Sequence, residues 1–161
     1  FEFGCGGGAL LFLFRSKTKK LFGCDYSQQL INKSKKIIPW LKIYNSESQK
    51  FKSKQLYDYV ISSSMLEYVQ PNQVRKIINN MVCLFNKSLF IGEILDMKYR
   101  KTFLKKYKKP DKYYTFIDKS FFRTYCKKNK LNLKIYPSIL PRSSQKKFRY
   151  CVQINKLSKK T

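Results

Sequence analysis

Apolar residues along this chain arrive in short runs separated by polar stretches, and extended and helical periodicities alternate. Phe1–Phe3 reads as the end of a buried strand, followed by Gly4-Cys5-Gly6-Gly7-Gly8 and a short apolar helix from Ala9 to about Ser16. Leu21–Cys24 reads as a second buried strand ending at Asp25. Ser27 offers an N-cap for a helix through Lys36 that must stop before Pro39. Leu41–Tyr44 and Tyr57–Ser62 read as third and fourth strands. Pro71 opens the clearest helix, with Val74, Ile77, Ile78, Met81, Val82 and Phe85 on one core-facing stripe. Leu89–Ile94 is apolar throughout, as a strand buried on both faces should be.

Residues 96–116 break this rhythm. Between Lys98 and Lys112 eight of fifteen residues are Lys or Arg, interleaved with Tyr99, Phe103, Leu104 and Tyr107. The segment is expected to be an insertion or cap with one short helix before Pro110. Asp118 should cap a helix through about Asn129, whose last turn holds Lys127 and Lys128. Leu131–Tyr136 and Arg149–Ile154 alternate in character and are joined by the loop Pro137–Lys147, so they read as an antiparallel pair closing a sheet. Alternating strands and helices predict an α/β fold: a three-layer α/β/α sandwich around a mostly parallel sheet, with an antiparallel C-terminal strand. A chain of 161 residues is expected to form a single domain over 1–161. It begins with Phe inside an apparent strand, so the reading expects a missing natural N-terminus and an incomplete first strand.

The glycine run carries the first chemical signal. Glycines directly after a strand let the backbone turn tightly and approach a ligand closely, and the following helix start offers unpaired N–H groups. Asp25, at the end of the next strand, can accept hydrogen bonds from a ribose diol, because an ionised carboxylate only accepts. A glycine loop with an acid about 20 residues on is the fingerprint of a nucleoside cofactor. Gly4-Cys5-Gly6-Gly7-Gly8-Ala9 also fits the G-x-G-x-x-G/A dinucleotide pattern, so the loop alone leaves the cofactor open. Glu2 tips the balance. Two residues before the first glycine, it would attract a cationic ligand and repel a pyrophosphate.

Composition narrows the chemistry further. The chain has no His, which removes Ser-His and Cys-His nucleophiles and histidine acid–base catalysis. Cys5, Cys24, Cys83, Cys126 and Cys151 form no C-x-x-C pair, so neither a metal site nor a disulfide framework is expected. The longest apolar run, Ala9–Phe14, is too short to cross a bilayer and has no signal-peptide flanks, and the reading is cytoplasmic. Thirty-five Lys and Arg against nine Asp and Glu give a net charge of +26. Such a field attracts polyanions, which keeps nucleic acid open as a partner. The basic residues are spread along the whole sequence, so compositional drift is the expectation, with 98–112 as the only dense patch.

Together these residues resemble a known family. Glu2–Asp25 looks like motif I and the following acidic position of class I S-adenosylmethionine-dependent methyltransferases. Tyr57–Val69 is similar to that family's fourth strand and the loop after it. The likeness covers nearly the whole chain and is greatest to the broad methyltransferase-domain group typified by type 11 and type 12 enzymes. It implies a Rossmann-like fold, S-adenosyl-L-methionine as cofactor and transfer of a methyl group to an unidentified acceptor, expected to be a small molecule.

The resemblance also implies roles. Gly4, Gly6 and Gly8 would line the methionine and ribose end of the cofactor, with Cys5 adding backbone contact and Glu2 facing the amino group. Asp25 would hold the ribose hydroxyls and Tyr26 would lie against the adenine. Where the family usually carries an acid after the third strand, Asn45 or Ser46 would substitute, and Ser62 and Ser63 would border the sulfonium. No catalytic residue is designated. The Asn-Pro-Pro-aromatic motif of amino-methylating enzymes is absent, since the matching stretch is Ser62-Ser63-Ser64-Met65. Two alternatives remain beside this reading: an RNA or other nucleic-acid methyltransferase or binder, and a nicotinamide (NAD-type) oxidoreductase.

Overall fold

The computed structural model describes residues 1–18, 20–107, 113–140 and 144–157. Seven strands form one sheet: β1 (Glu2–Phe3), β2 (Phe22–Asp25), β3 (Lys42–Asn45), β4 (Tyr57–Ser63), β5 (Phe85–Leu95), β6 (Leu131–Pro137) and β7 (Arg149–Lys156). Their spatial order is β3-β2-β1-β4-β5-β7-β6. All neighbouring pairs from β3 to β5 are parallel, while β7 runs antiparallel to both β5 and β6. The helices are α1 (Ala9–Leu13), α2 (Gln28–Ile37), α3 (Pro71–Leu84), α4 (Arg100–Tyr107) and α5 (Lys119–Lys128).

Strand alternation sends successive side chains to opposite faces, and the core divides accordingly. Val60 of β4 joins Ile77 and Ile78 of α3 and Phe122 of α5 on one face. Its neighbour Ile61 packs with Cys5, Leu11 of α1 and Ile38, just after α2, on the other. This is the expected three-layer sandwich with a mostly parallel sheet. A third cluster, Leu95, Phe103, Phe116 and Phe148, sits beyond the end of β5 and anchors α4 through fully buried Phe103.

Most element boundaries follow local chemistry. Ser27 caps α2 by accepting from the Leu30 amide, and Asp118 caps α5 by accepting from the Ser120 amide. Two expectations are corrected. The first helix ends at Leu13 instead of about Ser16, and its C-terminal residues Leu13 and Phe14 lie exposed, so no core face holds further turns in place. Phe85 belongs to β5, which starts there and not at Leu89. Phe85 is fully buried, and a buried residue satisfies the helical stripe and the strand equally well, so periodicity could not locate the switch. The basic stretch does form the expected short helix, α4, although residues 108–112 of it lie outside the described residues.

Candidate functional site

The glycine turn fills the space between the carboxyl ends of β1 and β2. Gly4, Gly6 and Gly8 all have positive φ, at 66°, 51° and 77°. Such values favour glycine, since a Cβ crowds the backbone there. Space excludes side chains as well. A Cβ on Gly4 would stand 2.4 Å from Met65 Cγ, and one on Gly8 would stand 2.6 Å from Leu41 Cδ2. At Gly7 the same test finds nothing within 4 Å. The turn is therefore packed at both ends and open at its crest.

Backbone amides and Asp25 stitch the turn to β2. The Gly4 and Cys5 amides both donate to the Cys24 carbonyl, at 2.9 and 3.1 Å. The Gly6 amide donates to Asp25 Oδ2 at 2.8 Å, and the Ser27 amide donates to Oδ1 at 2.9 Å. Asp25 is buried, so its charge rests on these two donors among the described residues. Each oxygen keeps a second acceptor position. Nearby, Glu2 is buried on β1 and its Oε2 has no hydrogen-bond partner. Burial pushes its carboxyl up to about 8, with Asp25 adding to the rise and the amino group of Phe1 opposing it. An orphaned carboxyl oxygen beside a second carboxylate calls for a cationic or hydrogen-bond-donating ligand.

The remaining sequence-derived residues divide by what already holds them. Cys5 is buried, and its thiol fills the space above Gly23, where a Cβ would come within 2.7 Å of Sγ. Burial raises that thiol's pKa far above the ordinary range, so it is inert and only its backbone faces the turn. Tyr26 is 77% exposed, leaving its ring free to lie on a planar group. Asn45 Nδ2 donates to the carbonyls of Tyr26 and Asp25, tying the end of β3 to the loop. The Ser46 amide reaches the Asp25 carbonyl. Ser62 is buried and donates its hydroxyl to the Phe3 carbonyl, so it holds β4 to β1. Ser63 is only partly buried at the end of β4. The structure thus gathers Glu2, the glycines, Asp25 and Tyr26 at the carboxyl ends of β1 and β2, and ties Ser62 to β1.

Four groups farther along the same edge escaped sequence reasoning. Arg149, the first residue of β7, donates through Nη2 to Glu67 Oε2 at 2.8 Å and through Nη1 to the Glu93 carbonyl at 2.8 Å. Both side chains of this ion pair are over nine-tenths buried. Glu93 lies in a bulge of β5 with φ of 61° and accepts from Ser138 Oγ at 2.7 Å and the Ile139 amide at 3.2 Å. Asp96, at the end of β5, accepts from Lys119 Nζ at 2.9 Å. A signal did exist. The chain has nine acids against 35 basic residues, and five of those acids, Glu2, Asp25, Glu67, Glu93 and Asp96, are buried at or near the carboxyl edge of the sheet. Carboxylates are rarely fully buried unless they are paired, so scarce acids next to strand ends carry that signal.

Among the described residues no His/Cys/Asp/Glu cluster could hold a metal ion, and no helix is long and apolar enough to cross a membrane. A family model described as "Methyltransferase domain" matches residues 1–87. No curated protein matches the chain. Solved structures do. Magnesium protoporphyrin IX methyltransferase ChlM from Synechocystis, with bound SAH, superposes with a TM-score of 0.77 at 14% identity, covering 97% of this chain and 73% of that one. The plantazolicin methyltransferase BpumL, in complex with a triazolic analogue and SAH, gives 0.72 at 16% identity over 97% and 76%. An S-adenosylmethionine-dependent methyltransferase from Clostridium acetobutylicum gives 0.73 at 11% identity over 96% and 82%. At such identities the likeness is one of fold.

Proposed function

Since this chain belongs to the methyltransferase-domain family, we propose that it transfers the methyl group of S-adenosyl-L-methionine to a small-molecule acceptor. The observation that carries the cofactor assignment is the pair of buried carboxylates at the glycine turn, Asp25 held by the Gly6 and Ser27 amides and Glu2 with Oε2 unpartnered. A pyrophosphate would oppose the Asp25 charge and find no cation there, whereas an ammonium group would draw Glu2 into its charged form and a ribose diol would meet the Asp25 acceptors. Glu2 would face the amino group, Asp25 the ribose hydroxyls, and Gly4, Gly6 and Gly8 the bound chain. Tyr26 would cover the adenine beside Asn45 and Ser46, with Ser62 and Ser63 at the reacting end. When bound, the cofactor supplies an electrophilic methyl on a cationic sulfur.

What this chain's own residues contribute is placement. The turn, β4 and the loop at Ser63–Gln70 would hold the donor against the acceptor, and orientation alone can lower a barrier by roughly 7–11 kcal/mol in favourable cases. The segment 96–116 would act as a cap on the acceptor side. Two contacts support that role: the Thr115 amide donates to the Glu67 carbonyl at 2.9 Å, and the Thr115 hydroxyl donates to the Val69 carbonyl. They fasten the return of the segment to the loop after β4. With α4 pinned through Phe103, the segment borders the edge where ligands bind in open α/β sheets.

Titration calorimetry with S-adenosylhomocysteine and with NAD decides the cofactor. S-adenosylhomocysteine is expected to bind and NAD is not. The reverse order would replace methyl transfer by hydride transfer.

A further inference from the structure

A cleft of about 640 Å³ opens away from the glycine turn, over the carboxyl-edge ends of β5, β7 and β6. Its size falls within the range of small-molecule sites. Four basic residues, Lys119, Lys146, Lys147 and Arg149, line it against one acid, Asp96. Tyr99, Tyr136 and Tyr150 supply apolar walls. These cations lie outside the 98–112 stretch expected to be the only dense basic patch. They converge because α5 begins, and the turn at Lys146–Phe148 leads into β7, on the same edge.

The charges are not mutually cancelled. Asp96 is taken up by Lys119, and Glu67 is taken up by Arg149. Among the described residues no carboxylate pairs with Lys146 or Lys147, both exposed at the rim. Arg149 adds a second, independent pointer. Its side chain is only 6% exposed, yet its Nε is buried with no hydrogen-bond partner. Its two Nη atoms are taken by Glu67, Gln145 and the Glu93 carbonyl, which leaves Nε as the guanidinium nitrogen without a partner in a residue that lines the cleft.

We propose that this cleft binds a phosphate or carboxylate group of a small aromatic or apolar acceptor, clamped by Lys146, Lys147 and Arg149. The inference rests on the methyl-transfer reading and adds the chemical class of the acceptor. Geometry supports the pairing of the two sites. β4 and β7 are separated by β5 alone, so at about 4.8 Å per strand the anion would lie roughly 10 Å from the end of β4. An acceptor of moderate size spans that distance. Arg149 joins the two regions directly, lining the cleft and bonding Glu67 in the loop after β4.

The test is a solution NMR titration with phenyl phosphate and, separately, with phenol, following the amide signals of Lys146–Tyr150. Phenyl phosphate should shift these signals and phenol should not. Lys146→Gln/Lys147→Gln should weaken phenyl phosphate about fivefold to tenfold. The distant pair Lys35→Gln/Lys36→Gln should leave it unchanged. Equal responses to phenol and phenyl phosphate, or equal losses in both lysine pairs, would overturn the site in favour of apolar contact or a general field effect. Displacement of phenyl phosphate by a ten-nucleotide RNA, with a steep dependence on salt, would overturn the small-molecule assignment in favour of a polyanion surface. S-adenosylhomocysteine affinity, measured on the same samples, should match wild type in the Lys146/Lys147 variant. Its absence from wild type would sink the methyl-transfer reading alone, since the phenyl phosphate response is read without cofactor.

Discussion

Asp25 holds the glycine turn and keeps lone pairs beyond those that the Gly6 and Ser27 amides use, so its removal has two consequences. Asp25→Ala leaves the Gly6 and Ser27 amides without their acceptor and removes the proposed ribose contact. S-adenosylhomocysteine binding should weaken by about 1.5–3 kcal/mol, read by calorimetry. Equal affinity in mutant and wild type would displace the site. Glu2 should report through pH. Its folded carboxyl titrates at about 8, above the ordinary 4.5, so the folded state keeps a proton that the unfolded chain loses. Stability from this group is full below about 4.5 and is lost as pH rises toward 8. Glu2→Gln should therefore be close to wild type at pH 4.5 and more stable at pH 8, by an amount on the order of a few kcal/mol. Urea denaturation across that range measures it, and a constant difference would rule out the assignment.

At the level of elements, the segments of the proposed acceptor side are joined by contacts of long sequence separation. Arg149 at the start of β7 meets Glu67 after β4, 82 residues away. Breaking a buried ion pair by removing one partner typically costs about 3–5 kcal/mol, because the other charge stays buried. Arg149→Met is expected to fall in that range, and adding Glu67→Leu should recover much of the loss. Chemical denaturation of the two single variants and the double variant forms the cycle; additive losses would mean that the pair is not coupled. Phe103 sits fully buried with ring contacts to Phe116 and Phe148 at 5.5 and 5.6 Å. Truncating it should cost about 3–5 kcal/mol and release α4 from the sheet edge.

For the molecule as a whole, +26 on 161 residues is a source of self-repulsion that screening relieves. Raising ionic strength from about 0.05 to 0.5 M should raise the melting temperature, since the Debye length shrinks to a few ångströms. A melting temperature independent of salt would show that the charges are too well dispersed to matter. Against this background the buried acids stand out. Glu2 and Asp25 frame the turn, Glu67 and Glu93 hold Arg149 and the β6–β7 loop, and Asp96 holds Lys119. In so basic a chain the few buried carboxylates mark the carboxyl edge of the sheet more sharply than the many cations do.

The sequence alone determined the alternation of strands and helices, the glycine turn and the role of Asp25 as its neighbour. These depend on interactions within a few residues: apolar spacing, capping side chains, and positive φ that favours glycine. Ser27 and Asp118 were legible for that reason, and the helix end at Leu84 was not, because burial in a strand and in a helix select the same residue type at Phe85. Only the tertiary structure decided that the Ser62 hydroxyl bonds the Phe3 carbonyl of the neighbouring strand β1. It also decided that Lys119, Lys146, Lys147 and Arg149 meet. Their convergence follows from strand order, in which β7 inserts between β5 and β6, and no local pattern carries that information. Long-range pairing is set by how whole faces bury together, so the basic cleft over β5, β7 and β6 became visible only once the sheet was assembled.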